Sequence, residues 1–179
     1  MSFVPKRIQA IDDRVDEAFA KLRGNDVADR IFYVASAFGD FGLIWIMLAL
    51  IRALRGRPND RRAAVRAMVA TGIESIVVNA GIKSLFGRKR PVSDIQHPYP
   101  FRQPITSSFP SGHATAAFCA ATLLSEGDNL APVYFALAAV VAASRIHTRI
   151  HHASDVVGGI VVGLLLGQLA RRLAPLEKP

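Results

Sequence analysis

Apolar residues along this chain form five runs, separated by short polar or basic connections. The first run, residues 31–51, has Asp40 as its only charged residue and matches the roughly 20 residues that a helix needs to cross a bilayer. The other runs are bounded by Gly, Pro and Asn residues, which punctuate helices. The pattern predicts apolar helices over residues 31–51, 62–86, 111–125, 130–146 and 154–173.

The clustering of apolar residues favours a membrane over water as the surroundings of these helices. Apolar types make up 51% of the 179 residues, and the mean hydropathy is +0.27. A soluble helical bundle is the competing fold, but an unbroken apolar run such as residues 41–51 is unusual on a bundle surface. We therefore expect an all-α integral membrane bundle of about five transmembrane helices, forming a single domain over residues 1–179.

The N-terminal segment, residues 1–27, places apolar residues at helical spacing among charged ones. It predicts an amphipathic helix over residues 5–22, which lies either on the membrane surface or against the rest of the protein. The segment lacks the apolar core and cleavage site of a signal peptide, so we expect the first long apolar run to direct insertion. The apolar positions of the helix are Ile8, Ile11, Val15, Phe19 and Leu22.

The net charge of +8 is compatible with binding to nucleic acid or to an anionic membrane surface. The Lys and Arg residues collect between the apolar runs, as they do at the ends of membrane helices, and few aromatic residues interleave with them. Cys119, the only cysteine, excludes an intramolecular disulfide. We expect membrane lipids rather than nucleic acid as partners, in the plasma (inner) membrane of a bacterium, with homo-oligomer formation left open.

Three groups of polar residues lie at the edges of the apolar runs. With helices of alternating direction, the end of the second helix, the start of the third, the end of the fourth and the start of the fifth share one membrane face. These four ends carry all three groups, which predicts a single site. The groups are Lys83, Arg90 and Pro91; Pro110, Ser111, Gly112 and His113; and Ser144, Arg145, His151 and Asp155.

The histidines and the carboxylate in these groups suit phosphoryl transfer. Asp155 lies four residues after His151, so on a helix it can accept the Nδ1 hydrogen and leave Nε2 free as a nucleophile. His113 opens a helix directly after Gly112, where unpaired amides attract an anion, and it is placed to protonate a leaving oxygen. The alternative readings are a structural hydrogen bond for the pair and a capping turn with a surface histidine for His113.

Lys83, Arg90 and Arg145 form a predicted clamp for the phosphate oxygens. Arginine offers a rigid fork that matches phosphate, and lysine acts as a point charge. The alternative for each is an interfacial cation whose apolar stem lies along the bilayer. We expect that second role for Arg88, Arg149 and most other basic residues. Because the site borders apolar helices, the phosphate is expected to belong to a lipid.

The three motifs resemble the signature of the type 2 phosphatidic acid phosphatase superfamily of membrane lipid phosphatases. All eleven specified positions of that signature are matched within residues 83–155, by the residues grouped above. The family core has six spans, whereas the hydropathy of this chain predicts five and an amphipathic segment. The short chain and residues 101–126 also resemble small superfamily members that act on polyprenyl carriers.

The resemblance implies roles for individual residues. His151 attacks phosphorus and forms a phosphohistidine, Asp155 orients it, and His113 protonates the leaving alkoxide. No metal or other cofactor is implied. The expected substrate is decaprenylphosphoryl-phosphoribose, followed by undecaprenyl diphosphate or phosphatidylglycerophosphate. The remaining phosphate ligands implied are Lys83, Arg90, Ser111, Gly112 and Arg145.

Other functions remain as alternatives. A catalytically silent scaffold that binds lipid phosphates would keep the fold, and a transporter would use the polar residues within the spans. The i, i+4, i+8 spacing of His147, His151 and Asp155 suggests a metal site, but further ligands are missing and we expect none. Asp40, Glu74 and Asn79 lie within spans, where polar groups are costly. We expect them to pair structurally between helices.

Overall fold

The computed structural model describes residues 4–92, 97–99 and 105–177, and the regular elements in those ranges are all helical. The seven α-helices of the described chain are α1 Lys6–Ala20, α2 Asp26–Gly39, α3 Leu43–Leu54, α4 Asp60–Ile76, α5 Gly112–Leu124, α6 Ala131–His147 and α7 Ala153–Leu173. The expected all-α fold is confirmed, and each predicted apolar run is helical. In the connection between α4 and α5, residues 93–96 and 100–104 lie outside the described residues. Residues 101–104 of the segment 101–126, which was compared with small superfamily members, are among them.

The first predicted span is two helices rather than one. A 3-10 turn at Asp40–Gly42 separates α2 from α3. Within it Phe41 has φ 54° and Gly42 has φ 69°, both in the left-handed region that interrupts a right-handed helix. The whole segment Asp26–Leu54 is 29 residues long and remains apolar enough to cross a membrane. The kink brings Asp40 to the inside of the bundle, as described below.

The second span changes its helical geometry near its C-terminal end. After α4 the chain makes a π turn at Val77–Gly81 and then a 3-10 turn at Ile82–Leu85. A π turn adds a residue to the helix, and one residue corresponds to roughly 100° of rotation about the axis. Lys83 therefore projects from a 3-10 turn, at an angle that a regular helix would not give it. The prediction of a continuous helix over residues 62–86 is corrected in this last part.

Helix α5 is the centre of the bundle and contacts α3, α4, α6 and α7. It is only 13 residues long, about 20 Å, against a hydrocarbon thickness of about 30 Å. Protein rather than lipid surrounds it, since Ala114, Ala117 and Leu123 have no exposed surface. A helix that is enclosed in this way need not match the bilayer, which explains the short third run.

Helices α5 and α7 pack with their backbones close together. A Cβ built on Gly163 would lie 2.4 Å from the carbonyl oxygen of Thr115, and one built on Gly159 would lie 2.5 Å from that of Ser111. Gly167 continues the same line one turn further. Small residues every fourth position are the usual means of close helix contact in membranes, where van der Waals packing drives association. This contact holds the start of α7 against the start of α5.

The outer faces of the bundle are apolar. Exposed large apolar side chains follow α2, α3, α4 and α7, and such a surface suits lipid rather than water. Besides Asp26–Leu54, the segments Asp60–Leu85 and Ala153–Leu173 are long and apolar enough to cross a membrane. The protein is therefore a helical membrane protein. Examples of these outward-facing residues are Val34, Phe38, Leu50, Ile73, Val161 and Leu165.

Helix α1 packs against the rest of the protein. Val15 and Phe19 lie against a buried cluster from α5, α6 and α7. Arg23, just after the helix, donates through Nε to the carbonyl of His147 at 2.9 Å and so closes the end of α6. Ile8 and Ile11 remain exposed on the opposite side. The N-terminal amphipathic helix thus joins the bundle, and its docking places Asp12 near the start of α7.

The end of the bundle opposite α1 is held by buried ion pairs. Arg52 is 2% exposed, donates to Asp60 at 3.0 Å and also donates to the carbonyl of Glu126 at 2.8 Å. Arg66 pairs with Glu126 at 2.7 Å. These contacts join the end of α3 and the start of α4 to the α5–α6 loop. Arg52 and Arg66 are therefore exceptions to the expectation that most basic residues outside the motifs are interfacial cations, because the last carbonyl groups of a helix need donors.

We predict that Gly163→Ala destabilises the bundle by about 1–3 kcal/mol or prevents its folding, because the added methyl meets backbone atoms that cannot rotate away. The thermal midpoint of the purified protein in detergent measures the effect. Gly72→Ala is the matched control, since a Cβ at Gly72 has no heavy atom within 4 Å. An equal midpoint for both variants would contradict the packing described.

Candidate active site

His151 lies in the short connection between α6 and α7 and is 3% exposed. Arg90 Nη1 donates to its Nε2 over 3.2 Å. Because a guanidinium has only hydrogens to offer, Nε2 must present its lone pair, and the ring hydrogen of neutral His151 is on Nδ1. The hydrogen bond thus identifies Nε2 as the nitrogen available for attack. His151 lies two residues before α7, whereas the prediction placed His151 and Asp155 together on one face at the start of that helix.

Ser108 connects His151 to Asp155. Its Oγ donates to Asp155 Oδ2 at 2.6 Å and lies 3.4 Å from Nδ1 of His151. The direct distance from Nδ1 to that carboxylate oxygen is 3.7 Å, longer than a hydrogen bond. A hydroxyl can accept the Nδ1 hydrogen while donating its own to the carboxylate. The predicted His151–Asp155 pair is therefore present, with a serine hydroxyl as its bridge.

Asp155 is fully buried and is also bound by Arg88. Arg88 Nη1 donates to Asp155 Oδ1 at 2.6 Å, and its Nη2 donates to Asp12 Oδ2 at 2.7 Å. Asp12 in turn accepts from the backbone N–H of Ser154 at 2.7 Å, near the start of α7. The prediction that Arg88 is an interfacial cation is wrong. A buried carboxylate needs a paired charge, and the sequence spacing of Arg88 and Asp155 does not disclose that pairing.

His113 lies in the first turn of α5 and donates to Asp40. The distance from its Nε2 to Asp40 Oδ1 is 3.0 Å, and a carboxylate oxygen in such a pair accepts. The ring also lies against Gly39, where a Cβ would come within 2.8 Å of its Cδ2. The kink between α2 and α3 therefore supplies both the acceptor and the space for this histidine. Asp40 pairs between elements, as predicted, but with a residue of the site.

The predicted cations surround the same region. Lys83 is buried, and its Nζ lies 3.4 Å from Oγ1 of Thr106. Arg90 donates to the Thr106 carbonyl at 3.0 Å and to the Ile150 carbonyl at 3.0 Å, so it holds the two loops together. A Cβ on Gly112 would lie 3.5 Å from Nζ of Lys83, which shows how near the α5 backbone comes to this ammonium group.

Arg145 is 1% exposed, in the last turn of α6. Its Nη1 donates to Ser36 Oγ on α2. Among the described residues, its Nε and Nη2 have no hydrogen-bond partner. Buried donors of a charged group are costly to leave unpaired, so these two nitrogens indicate a place for an anion.

Ser111 has a structural role in the described chain. Its backbone N–H donates to the Asp155 carbonyl at 3.0 Å, and its Oγ accepts from the backbone N–H of Ala114 as the cap of α5. Its own hydroxyl hydrogen can still be donated. The structure thus brings all eight predicted site residues to one end of the bundle and gives Ser111 a second task there.

A cavity of about 650 Å³ opens beside these groups and runs between α3, α4 and α5. Lys83, Gly112, His113 and His151 line one end of it. Trp45, Met68 and Ala120 line the part deeper in the bundle. The site therefore combines a polar end, suited to an anion, with an apolar continuation, suited to a lipid.

Burial lowers the pKa of His151 from 6.5 to about 3. The nearby Arg145 and Arg90 guanidinium groups act in the same direction, and Asp155 opposes them. His151 is therefore neutral at pH 7, as a nucleophile must be. Because its pKa in the unfolded chain is near 6.5, its burial stabilises the fold fully above that pH and progressively less as pH falls towards 3.

His147 is not part of the site. Its Nε2 pairs with Asp29 Oδ1 at 2.6 Å, and its ring lies against Phe32, so it fastens α6 to α2. In residues 4–92, 97–99 and 105–177 no group of three or more His, Cys, Asp or Glu side chains is arranged to hold a metal ion. The i, i+4, i+8 spacing is broken by the end of α6.

Glu74 and Asn79 differ from the predicted interhelical pairing. Asn79 Nδ2 donates to the Ser75 carbonyl at 2.8 Å, within its own helix. Neither carboxylate oxygen of Glu74 has a hydrogen-bond partner among the described residues, although the side chain is buried. Both residues line the cavity.

Sequence reasoning missed Ser108, Arg88, Asp12 and Ser36. Ser108 lies two residues before Pro110 in a polar connection. Its neighbour Ser107 is also a serine but donates to the Phe109 carbonyl instead of Asp155. Arg88 is one of three adjacent basic residues. Local composition does not separate these residues from their neighbours, since their roles come from contacts with distant segments.

Comparison with known proteins agrees with this arrangement. The profile of the PAP2 superfamily matches residues 63–178, which include every motif residue. A decaprenylphosphoryl-5-phosphoribose phosphatase of Mycobacterium tuberculosis is 36% identical over 128 residues, covering 68% of this chain and 66% of that protein. The matched part thus spans just under two thirds of that relative. The enzyme of the same name from Mycolicibacterium smegmatis is 32% identical over 163 residues, covering 88% and 83%.

Two crystal structures share the fold. A transmembrane PAP2-type phosphatidylglycerolphosphate phosphatase from Bacillus subtilis aligns with a TM-score of 0.70 at 22% identity, covering 93% of this chain and 86% of that one. Aquifex aeolicus LpxE aligns with a TM-score of 0.71 at 23% identity, covering 89% and 93%. The two structures show that the fold is shared, and the profile match over residues 63–178 shows that the chain belongs to the PAP2 superfamily.

Proposed function

We propose that this protein is a metal-independent lipid phosphate phosphatase that works through a phosphohistidine at His151. The observation that carries the proposal is the lone pair on Nε2 of His151, fixed by the Arg90 hydrogen bond at the polar end of a cavity within the bundle. Its support from relatives is the shared phosphatase name and the PAP2 fold.

In the first step, Nε2 of His151 forms a bond to phosphorus and the bond from phosphorus to the leaving oxygen breaks. Arg90 must release Nε2 for this and can then bind an equatorial phosphate oxygen. The Nδ1 hydrogen is held by the Ser108 hydroxyl, which passes the electrostatic support of Asp155 to the ring. A positive charge that develops on the imidazole is thereby stabilised.

The leaving oxygen takes its proton from His113. When both ring nitrogens of His113 carry hydrogen, Asp40 accepts one and the other remains for the leaving group. In the second step, His113 accepts a proton from water, the water oxygen bonds to phosphorus and the Nε2–phosphorus bond breaks. Inorganic phosphate is released and His113 regains the proton it gave.

The negative charge of the phosphoryl group is neutralised by fixed cations. Lys83, Arg90 and Arg145 supply this charge, and the first amides of α5 at Gly112 and the Ser111 hydroxyl supply further donors. Stabilisation of equatorial oxygens is the main task in phosphoryl transfer. We propose that these residues fill that task without a metal ion.

We propose decaprenylphosphoryl-5-phosphoribose as the substrate and the plasma membrane of a bacterium as the location. Both M. tuberculosis and M. smegmatis relatives carry the corresponding enzyme name. Undecaprenyl diphosphate and phosphatidylglycerophosphate are the alternative lipids. A relative catalytic efficiency that is highest for either of these would replace the first choice.

We predict that His151→Ala lowers phosphate release from the phosphoribose lipid by about 10³-fold or more, since no other group takes its place as nucleophile. His113→Ala should lower it by about 10²- to 10⁴-fold. The His113 defect should shrink with an acidic leaving group such as nitrophenol, which needs no proton. Purified enzyme with EDTA present is the assay, and vanadate should inhibit it.

His97→Gln is the control histidine variant, because His97 forms a hydrogen bond with Tyr33 of α2 and lies outside the three motifs. Full activity of His151→Ala would contradict the mechanism. Tight binding of the lipid phosphate by the natural protein with no turnover would instead identify a scaffold.

We predict a separate kinetic effect for Ser108→Ala. Loss of a hydrogen bond to a charged group costs about 1.5–3 kcal/mol, which corresponds to about 10- to 100-fold in rate. The loss should appear in kcat with KM little changed, since Ser108 orients His151 and does not face the lipid. Ser107→Ala is the control, and equal kcat values for the two variants would contradict the bridging role.

A further inference from the structure

No hydrogen bond in the described part of the chain and no step of the proposed mechanism explains the burial of Glu74, which lines the cavity. It is 3% exposed, and neither Oε1 nor Oε2 has a hydrogen-bond partner in the described part of the chain. Burying a carboxyl group in this way costs several kcal/mol if nothing binds it. Membrane helices keep such groups where a polar ligand or an aqueous cavity meets them.

Thr71, about one turn before Glu74 on α4, has a second buried polar group, Oγ1, without a hydrogen-bond partner among the described residues. Residues three apart lie on one face of a helix, and both side chains line the cavity. Ser75 on α4, Asn79 in the π turn and Lys83 in the 3-10 turn line the cavity too. A row of polar side chains along α4 and the turns that follow it, here called the α4 stripe, therefore leads from the phosphate end into the bundle.

The wall opposite this stripe is different. Trp45 and Ile46 of α3 and Ala116 and Ala120 of α5 face the cavity with apolar groups. A hydrocarbon chain alone would leave the carboxyl group and the hydroxyl of α4 unsatisfied. An occupant that offers hydrogen-bond donors on one side and an apolar surface on the other satisfies both walls.

We infer that Glu74 and Thr71 form a subsite for the hydroxyl groups of a sugar carried by the lipid phosphate. The inference rests on the proposed phosphatase function and adds to it the residues that read the leaving group. Glu74 lies nine residues before Lys83, and both side chains line the same cavity. A sugar whose phosphate is held by Lys83 directs its hydroxyls along the α4 stripe.

The chemistry of the two residues selects for hydroxyls. A carboxylate accepts from hydroxyl hydrogens, and the threonine hydroxyl donates or accepts as needed. Before the lipid enters, water can hold these groups, and sugar hydroxyls replace it without loss of hydrogen bonds. A site built to bind a hydroxyl rejects an analogue that lacks it, because its buried polar groups are then left unpaired.

The test is a comparison of two enzymes on three substrates. The substrates are the ribose 5-phosphate lipid, its 2,3-dideoxyribose analogue, and a polyprenyl monophosphate without hydroxyls. For the natural enzyme, kcat/KM should be about 10- to 100-fold lower on the dideoxy lipid than on the ribose lipid. For Glu74→Leu this ratio should fall to near one. Its kcat/KM on the polyprenyl monophosphate should remain close to that of the natural enzyme.

Thermal midpoints provide a second readout. Because the buried carboxyl group of Glu74 has no hydrogen-bond partner in the described part of the chain, Glu74→Leu and Glu74→Gln should keep or raise the midpoint in detergent. A falling midpoint would show that Glu74 holds the fold together and would overturn the inference. Glu126→Gln is the matched control, since Glu126 pairs with Arg66 at the other end of the bundle and does not line the cavity.

The outcomes separate the two proposals. If Glu74→Leu lowers kcat/KM by the same factor on all three substrates, the hydroxyl subsite is overturned and the phosphatase function remains supported. The same result follows if the natural enzyme does not distinguish ribose from dideoxyribose. If the natural enzyme releases phosphate from none of the three, the phosphatase function itself fails.

Discussion

The carboxylate of Asp155 is the point on which the rest of the site depends. It is fully buried and accepts hydrogen bonds from Ser108, from Arg88 and from the backbone N–H of His152. Ser108 and Arg88 lie in the connection before α5, and His152 lies directly before α7, so the donors come from separate parts of the chain. Leaving such a charge buried with one partner removed costs about 3–5 kcal/mol, so the carboxylate commits these segments to one arrangement.

The consequences of that commitment reach beyond His151. Arg88 carries the connection to Asp12, and so the docking of α1 is linked to the charge that supports the nucleophile. The Asp155 backbone carbonyl accepts from Ser111, which sets α7 against the start of α5, where His113 lies. The close glycine packing of α5 and α7 then continues this contact into the bundle. Catalytic geometry and helix packing are thus two parts of one arrangement.

The two ends of the bundle use charge differently. At the end opposite the site, Arg52 and Arg66 form ion pairs with carboxylates and donate to carbonyl groups. These contacts hold the connections between helices together. At the site, Arg145 and Lys83 form no ion pair with a carboxylate in the described chain; Arg145 donates to Ser36, and Lys83 lies 3.4 Å from the Thr106 hydroxyl. Ion pairing with carboxylates therefore distinguishes the structural arginines at one end from the cations available to an anion at the other.

Much of the fold and site could be read from the sequence, for physical reasons. Hydropathy marks the helices because lipid requires long apolar runs, and alternating helix direction brings Lys83, His113, Arg145 and Asp155 to one end. The kink at Asp40–Gly42 and the π turn before Lys83 could not be read, because both depend on tertiary contacts rather than on local propensity. Ser108 was hidden for the same reason.

Short motifs state which groups react, but not how each is held. The sequence placed Asp155 directly on His151, whereas the structure inserts a hydroxyl between them. It also predicted an interfacial cation at Arg88, since nothing near Arg88 in the chain indicates a partner on α1. Pairings of buried charges between distant segments are set by packing, and a single sequence carries no spacing rule for them.

The central claim is that Nε2 of His151 is the atom that takes the phosphoryl group. Purified enzyme can be mixed with the phosphoribose lipid, quenched in alkali within one turnover, and analysed by tandem mass spectrometry, since phosphohistidine survives alkali. The account predicts a phosphoryl group on Nε2 of His151, formed before phosphate release and absent in His151→Ala. Phosphate released at full rate with His151 unmodified, or with the label on another residue, would contradict it.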